Sequence, residues 1–254
     1  MRRTRVLELI LLLAAGLAWG CSSKQATTLK GDEVYFAEGQ KALQKKRYLE
    51  AVEKFQRLVS NYPGSPLVAD AQYYLAEAYF RSEDYVNAVF EYQRLVDAYP
   101  ASQWLDEAQF QIAESYFRQR RRPELDQKET DEALTHFRLF LEDHPDSPLV
   151  EEARQRIAAC RGQLAHKIYL NARLYHRQGY LEAAAMIYQQ VMQDFPDTEW
   201  YYEALAQLGE VALEKKDPAQ ARSCWEEVAR DTEDEELRAR VKKRLAEEIP
   251  GTGG

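Results

Sequence analysis

Histidine, cysteine and paired carboxylates are the residues from which catalytic or metal chemistry is usually built, and their spacing here argues against both. His166 and His176 stand ten apart, which on a helix places them near one face but about 15 Å from each other, too far to share a metal. His136 and His144 have no partner at ligand spacing, and no cysteine pair shows zinc spacing. The sequence contains neither a glycine-rich phosphate loop nor a nucleophile elbow. Acid pairs such as Glu151-Glu152 and Glu226-Glu227 read as solvated helix faces. The expectation is therefore a non-enzyme without cofactor or metal. Cys160 and Cys224 lie within apolar helical patterns and read as small buried thiols; in an oxidising compartment the alternative is a bridge. The remaining sulfur, Cys21, ends an apolar run behind Gly20, and its position gives it a different prospect.

Ahead of Cys21, Met1 to Arg5 form a short basic segment and Leu9 to Ala18 an uncharged apolar run. That run is too short to cross about 30 Å of hydrocarbon, and the layout is that of a signal peptide. Leu17-Ala18-Trp19-Gly20-Cys21 resembles the bacterial lipobox. The resemblance implies cleavage before Cys21, a diacylglycerol on its sulfur and a third acyl chain on its new amino group. Ser22, in place of Asp, implies sorting to the outer membrane. Several chains at roughly 0.8 kcal/mol per buried CH₂ anchor a protein stably. The alternative is an ordinary signal peptide with an incidental cysteine. Loss of residues 1–20 removes three Arg and one Glu, taking the formal charge from −8 to −10. A body of that charge is not expected to grip nucleic acid, or to cling electrostatically to anionic lipid.

The rest of the chain is organised by an internal repeat. An Ala followed four residues later by an aromatic recurs as Ala51/Phe55, Ala88/Tyr92, Ala133/Phe137, Ala184/Tyr188 and Ala221/Trp225. Eight residues beyond the aromatic stands a proline in four of the five, at Pro63, Pro100, Pro145 and Pro196. Sixteen residues before the aromatic, Gly39, Ala76, Ala172 and Gly209 supply a small residue. This pattern resembles the tetratricopeptide repeat, a helix-turn-helix unit of about 34 residues. Small residues mark close helix crossings, the aromatic fills the space beside them, and proline ends the second helix. Ser65, Ser102, Ser147 and Thr198 are expected to cap the next helix, with Pro66 and Pro148 at its first position.

Successive Ala positions are 37, 45, 51 and 37 apart. The 45 holds an eight-residue charged insertion around Arg120 to Thr130, expected to be a surface loop between the helices of the third pair. The 51 holds 14 additional residues with no proline from Leu149 to Gln178, nearly four extra turns that predict one helix of about 45 Å. The fold class is thus all-α: a TPR-like solenoid of about five helix pairs with one long connecting helix. The expected organisation is a signal peptide at 1–20, a linker at 21–32, an N-terminal half at 33–147 and a C-terminal half at 148–249. A capping helix carrying Leu237, Val241 and Leu245 closes the second half, ahead of a disordered tail at 250–254.

The lipobox, five repeats, the insertion in the third pair and the lengthened first helix of the fourth together resemble the BamD family, also called ComL or YfiO. The stretch from Arg161 to Gly179 resembles its most characteristic segment. The resemblance implies a lipid-anchored protein on the periplasmic face of the outer membrane, within the machinery that assembles β-barrels there. Its implied partners are a BamA-like protein, through a POTRA domain, the C-terminal strands of unfolded barrel proteins, and other Bam lipoproteins. A TPR lipoprotein of pilus or secretin assembly, or a Tol-associated coordinator of envelope growth, is the alternative. A peptidoglycan hydrolase finds no catalytic constellation.

In a TPR stack the first helices line the concave face. Phe36, Tyr73, Glu77, Phe80, Phe110 and Phe117 are expected there as an aromatic and acidic groove for an extended apolar peptide. Tyr169, Arg173, His176 and Arg177 form a basic stretch expected to meet an acidic partner surface. The alternative for Phe80, Phe110 and Phe117 is packing between helices. Replacing Cys21 by Ala should abolish incorporation of labelled palmitate and move the chain out of the membrane fraction; undiminished labelling would refute acylation at this residue.

Overall fold

The computed structural model describes residues 30–248. Cys21, the signal segment, most of the linker and the 250–254 tail lie outside the described residues. Eleven helices follow one another: α1 (Gly31–Gln44), α2 (Tyr48–Asn61), α3 (Val68–Arg81), α4 (Tyr85–Ala98), α5 (Leu105–Arg118), α6 (Lys128–Asp143), α7 (Val150–Arg177), α8 (Leu181–Asp194), α9 (Trp200–Glu214), α10 (Pro218–Asp231) and α11 (Glu235–Glu248). Each packs on its neighbours in sequence, giving five pairs and a closing helix. None of these helices is long and apolar enough to cross a membrane.

The pairs are locked where a small residue faces a ring. The Ala and the aromatic of every repeat, from Ala51 and Phe55 to Ala221 and Trp225, are 0% exposed. A Cβ added at Gly39 would come within 2.7 Å of the Phe55 ring, and one at Gly209 within 2.3 Å of Trp225 Nε1. Glycine therefore stands opposite these two rings because no side-chain carbon fits between helix and ring. In the third pair the same place is taken by Ala113, fully buried on α5. Its spacing to Phe137 is stretched by the insertion, so the sixteen-residue pattern does not reveal it.

Turns within pairs reverse the chain through a left-handed residue after the first helix: Lys46 (φ 56°), Glu83 (φ 64°), Gly179 (φ 82°) and Lys216 (φ 63°). The N–H of Arg47 reaches the carbonyl of Ala42, and that of Asp84 reaches Tyr79, closing the helix ends. Between pairs, the serines behave differently from the cap expected of them. Ser65 Oγ accepts from the Leu67 N–H at 3.1 Å and Ser102 Oγ from the Trp104 N–H at 3.2 Å, in a turn ahead of the helix. The regular helices begin only at Val68, Leu105 and Val150, so Pro66 and Pro148 sit in that turn and not at the first helical position. Thr198 donates its hydroxyl to the Phe195 carbonyl instead. The same turns tie successive repeats together: Ser65 donates to Asp32 (2.6 Å), the Trp104 indole to Asp70 (2.7 Å) and Ser147 to Asp106 (2.9 Å).

Helix α7 runs 28 residues, about 42 Å at 1.5 Å per residue. Its first turns place Ala153 and Cys160 in a core with Phe137 and Phe140, and its later turns place Ala165, Tyr169 and Ala172 in a core with Tyr188 and Val191. Leu164 packs against both. The inserted segment before α6 is held to this helix: Gln163 donates to the Arg121 carbonyl at 2.7 Å and Lys167 to that of Glu124 at 2.8 Å. At the far end α11 covers Trp225 and Val228 with Leu237 and Val241, each 2% exposed.

Gly209→Ala should cost about 1–3 kcal/mol through the clash with Trp225, with Trp225→Phe recovering part of it; a melting temperature unchanged by Gly209→Ala would contradict the lock. Glu83→Gly, which relieves a left-handed side chain, should stabilise by about 1 kcal/mol, read as a rise in denaturant midpoint.

Candidate functional site

The inner face is built from equivalent positions of the first helices. Phe36, Tyr73, Phe110 and Tyr169 occupy one; four residues on come Gln40, Glu77, Glu114 and Arg173; the next turn brings Arg81, Arg118 and Arg177. Residues four apart lie on one helix face, so the first helices of the second, third and fourth pairs each present a ring, a charged group and a cation in line, whereas α9 has Ala206, Glu210 and Glu214 there.

In the second and third pairs this line is closed upon itself. Glu77, 8% exposed, accepts from Arg81 Nε at 2.6 Å and from the Tyr92 hydroxyl at 2.7 Å. Glu114, 3% exposed, accepts from Arg118 Nε at 2.6 Å and from Arg156 Nε of α7 at 2.8 Å. A carboxylate withdrawn from water needs such partners. Tyr73 and Phe110 are core residues, 6% and 3% exposed, which corrects their assignment to a peptide groove. Tyr73 stacks on Trp104 with centroids 4.3 Å apart, and Phe110 packs edge-on to Phe137 and Phe140. Tyr73 is covered from the neighbouring pair by Trp104, Phe110 by α6 of its own pair, and rings so covered leave little surface for a ligand.

The other groove candidates are half-buried. Phe36 lies edge-on to Phe55 and Tyr74, and Phe80 edge-on to Tyr85 at 5.4 Å. Phe117 carries the Arg120 guanidinium 3.4 Å above its ring, with that of Arg156 at 4.8 Å.

The fourth pair breaks the pattern. Tyr169 is 5% exposed, a second correction: its ring packs against Tyr188 and Trp200, and it supports the site from below. Burial and the Glu203 carboxylate push its hydroxyl up to about 12. Arg173 stands where the other pairs have Glu; its guanidinium lies 5.9 Å from the Tyr169 centroid and forms no ion pair among the described residues. Arg177 likewise has no acid at the position four residues before it, and no ion pair among the described residues. Both are exposed. His176 is half-buried, its Nε2 3.0 Å from Glu214. Beside them Leu174, Tyr175 and Tyr180 are 44%, 41% and 59% exposed. The structure thus brings Arg173 and Arg177 into one open strip and assigns His176 to a contact with α9.

Two tryptophans escaped the sequence reading. Trp104 stacks on Tyr73, and Trp200 meets Tyr169 at 5.0 Å and stacks on His166 at 3.9 Å. Both stand 31 residues after the tyrosine they cover, a regularity legible in the sequence once the pairs are aligned. Burial lowers the pKa of His166 and pushes the Cys160 thiol up to about 11. Cys160 is buried, Cys224 half-buried, and they are not joined. No cluster of three His, Cys, Asp or Glu suited to a metal occurs among the described residues.

Fold and site together define a helical-repeat protein of the tetratricopeptide type whose inner face is neutralised along its first half and open and basic at the fourth pair. The chain belongs to the YfiO family of outer membrane lipoproteins, whose model matches residues 30–225. It is 28% identical over 200 residues to the outer membrane protein assembly factor BamD of Vibrio cholerae, covering 74% of this chain and 83% of that protein. Among solved structures it is similar to the TPR2AB-domain:pHSP90 complex of yeast Sti1 (12% identity, 84% of each chain, TM-score 0.43). It is also similar to a thermophilic TPR protein of Thermus thermophilus (17% identity, 85% of this chain and 99% of that one, TM-score 0.36).

Tyr73→Ala and Phe110→Ala should each destabilise the fold by about 3–5 kcal/mol, as expected for emptied ring sites. Denaturation of the purified variants checks this; wild-type stability would return these rings to the groove.

Proposed function

We propose that this protein is a lipid-anchored scaffold of β-barrel assembly on the periplasmic face of the outer membrane, docking an acidic surface of a POTRA-containing, BamA-like barrel on the open strip of α7. The observation that carries this reading is the change of charge logic at the fourth pair. Arg81 and Arg118 are held by buried acids four residues away, whereas Arg177 faces Arg173 in that place. Two exposed cations on adjacent turns repel each other, and an acid from outside is what relieves them. Leu174, next to Arg173 and 44% exposed, supplies apolar contact area of the kind from which binding energy at interfaces is drawn.

The half-buried rings Phe36, Phe80 and Phe117, at the inner face of the first three pairs, are the places where an extended C-terminal strand of an unfolded barrel protein would rest. Glu77, buried and held by Arg81 and Tyr92, is structural support and not groove lining. Family membership and the 28% identity to an assembly factor favour this role over pilus, secretin or Tol-associated work.

Arg173→Glu combined with Arg177→Glu should reduce co-purification of the POTRA-bearing barrel in detergent by at least about tenfold, with helicity and melting unchanged. Undiminished recovery of the barrel with the folded double variant would overturn the assignment of the strip.

A further inference from the structure

The net charge of −8 conceals a separation of charge between the two edges of the stack. Because consecutive helices run in opposite directions, the turns within pairs emerge on one edge and the turns between pairs on the other. Lys46 to Glu50 and Arg81 to Glu83 line one common cleft on the first edge, while Leu105 and Asp106 share a cleft with Asp143 to Pro148 on the second.

The first edge is basic. Lys45, Lys46 and Arg47 follow α1, Arg121 and Arg122 lie in the insertion after α5, and Lys215 and Lys216 follow α9, all of them exposed. Arg47 is paired with Glu50 and Lys215 with Glu182, and over the five turns eight Lys and Arg stand against five Asp and Glu, the turn at Glu83 and Asp84 being acidic. The second edge is acidic, with Asp97, Asp143 and Asp194 at the ends of α4, α6 and α8 and exposed. Helix stability does not account for this. The macrodipole favours cations at a helix C-terminus by about 0.3–1 kcal/mol, yet α2, α4, α6 and α8 have no basic residue in their last turn. Of the second helices, α4, α6 and α8 accept an acid against their own dipoles, whereas α2 ends without one and α10 carries Arg230 paired with Asp231.

An independent feature falls on the same basic edge. Leu49, Val86 and Tyr180, each beside a turn within a pair, are 81%, 70% and 59% exposed, and Leu125 in the insertion is 47% exposed; Phe90, Leu139 and Met186, further along α4, α6 and α8, are exposed as well. Cations interleaved with exposed apolar and aromatic side chains are the chemistry of an interfacial contact: the charges meet anionic headgroups while the apolar tips enter the headgroup boundary. A nucleic acid would use the charges but leave the apolar tips in water, and the nearby bilayer implied by family membership favours lipid over an acidic protein as the occupant.

Family membership places a bilayer close by. Lys30 stands nine positions after Cys21, a contour of about 30 Å at most. Helix α1 leads from the acidic edge to the basic one over 14 residues, about 21 Å. A chain anchored at Cys21 can therefore lay its basic edge on the surface to which it is tethered.

We propose that the basic, apolar-tipped edge formed by the turns within pairs rests on an anionic bilayer surface, a second contact that orients the lipid-anchored stack. Net charge alone argued against electrostatic adhesion to lipid; the segregation of charge removes that objection, because a Debye length of about 8 Å screens the far edge.

The test uses the mature lipidated chain in phosphatidylcholine vesicles with and without phosphatidylglycerol. An environment-sensitive label is attached at Leu49→Cys or, on the opposite edge, at Asp146→Cys, and the unsubstituted chain supplies the background from its native cysteines. The expected result is a blue shift at position 49 with phosphatidylglycerol, none at 146, and loss of the shift in high salt and with Lys45→Glu, Lys46→Glu and Arg121→Glu together at unchanged helicity. No shift at 49, an equal shift at both edges, or a shift that survives salt or charge reversal would overturn the proposal. Because only this protein and lipid are present, the outcome is independent of the partner assigned to α7.

Discussion

The approach of a small residue to a large ring inside every helix pair is the constraint on which the rest of the structure depends. Opposite Phe55 and Trp225 not even a methyl group fits; opposite Tyr92 and Tyr188 an Ala does, and each of these rings is fully buried. With the crossing fixed in this way, the repeat tolerates an eight-residue insertion in one pair and nearly four extra turns in another, since neither touches the lock. The long α7 follows from the same constraint. Added residues in whole turns keep Ala172 facing Tyr188 while Ala153 still faces the core of the third pair.

A scaffold fixed by its locks leaves the inner face free to vary in charge. Burial makes an acid at the Glu77 and Glu114 position demanding, and each is satisfied by a cation one turn further along its own helix and by a further donor from a neighbouring helix. Arg173 at the same position needs no such burial, because its long arm carries the charge out past Tyr169 to solvent. One substitution of type, acid to base, therefore converts a closed rung into an open one without disturbing the helix crossing beneath it. The fourth pair thus presents an open, basic rung where the second and third present closed ones.

Much of the fold was legible because its periodic features are dictated by packing: the Ala and aromatic positions, the turn prolines, the long helix and the closing helix with Leu237 and Val241. The site was less legible. Tyr73, Phe110 and Tyr169 have the spacing of a concave face, yet Trp104, Phe140 and Trp200 cover them from the adjoining elements. Helical periodicity says which side of a helix a residue occupies and not how far the neighbouring pair overlaps that side. Ala113 was hidden because the insertion stretches its distance to Phe137, and the turn serines were misplaced by the three residues that separate them from Val68, Leu105 and Val150. The charge strip at Arg173 and Arg177 was visible in the sequence; that Arg81 and Arg118 are neutralised required the coordinates.

The central claim is that equivalent positions of one repeated scaffold are closed in the second pair and open in the fourth. Site-specific photocrosslinking in the native envelope tests it most directly, with a photoreactive residue in place of Arg81 in one strain and of Arg177 in another. The account predicts a covalent adduct to a POTRA-bearing barrel from position 177 and none to that barrel from position 81. Adducts of equal yield from both positions, or from 81 alone, would contradict it.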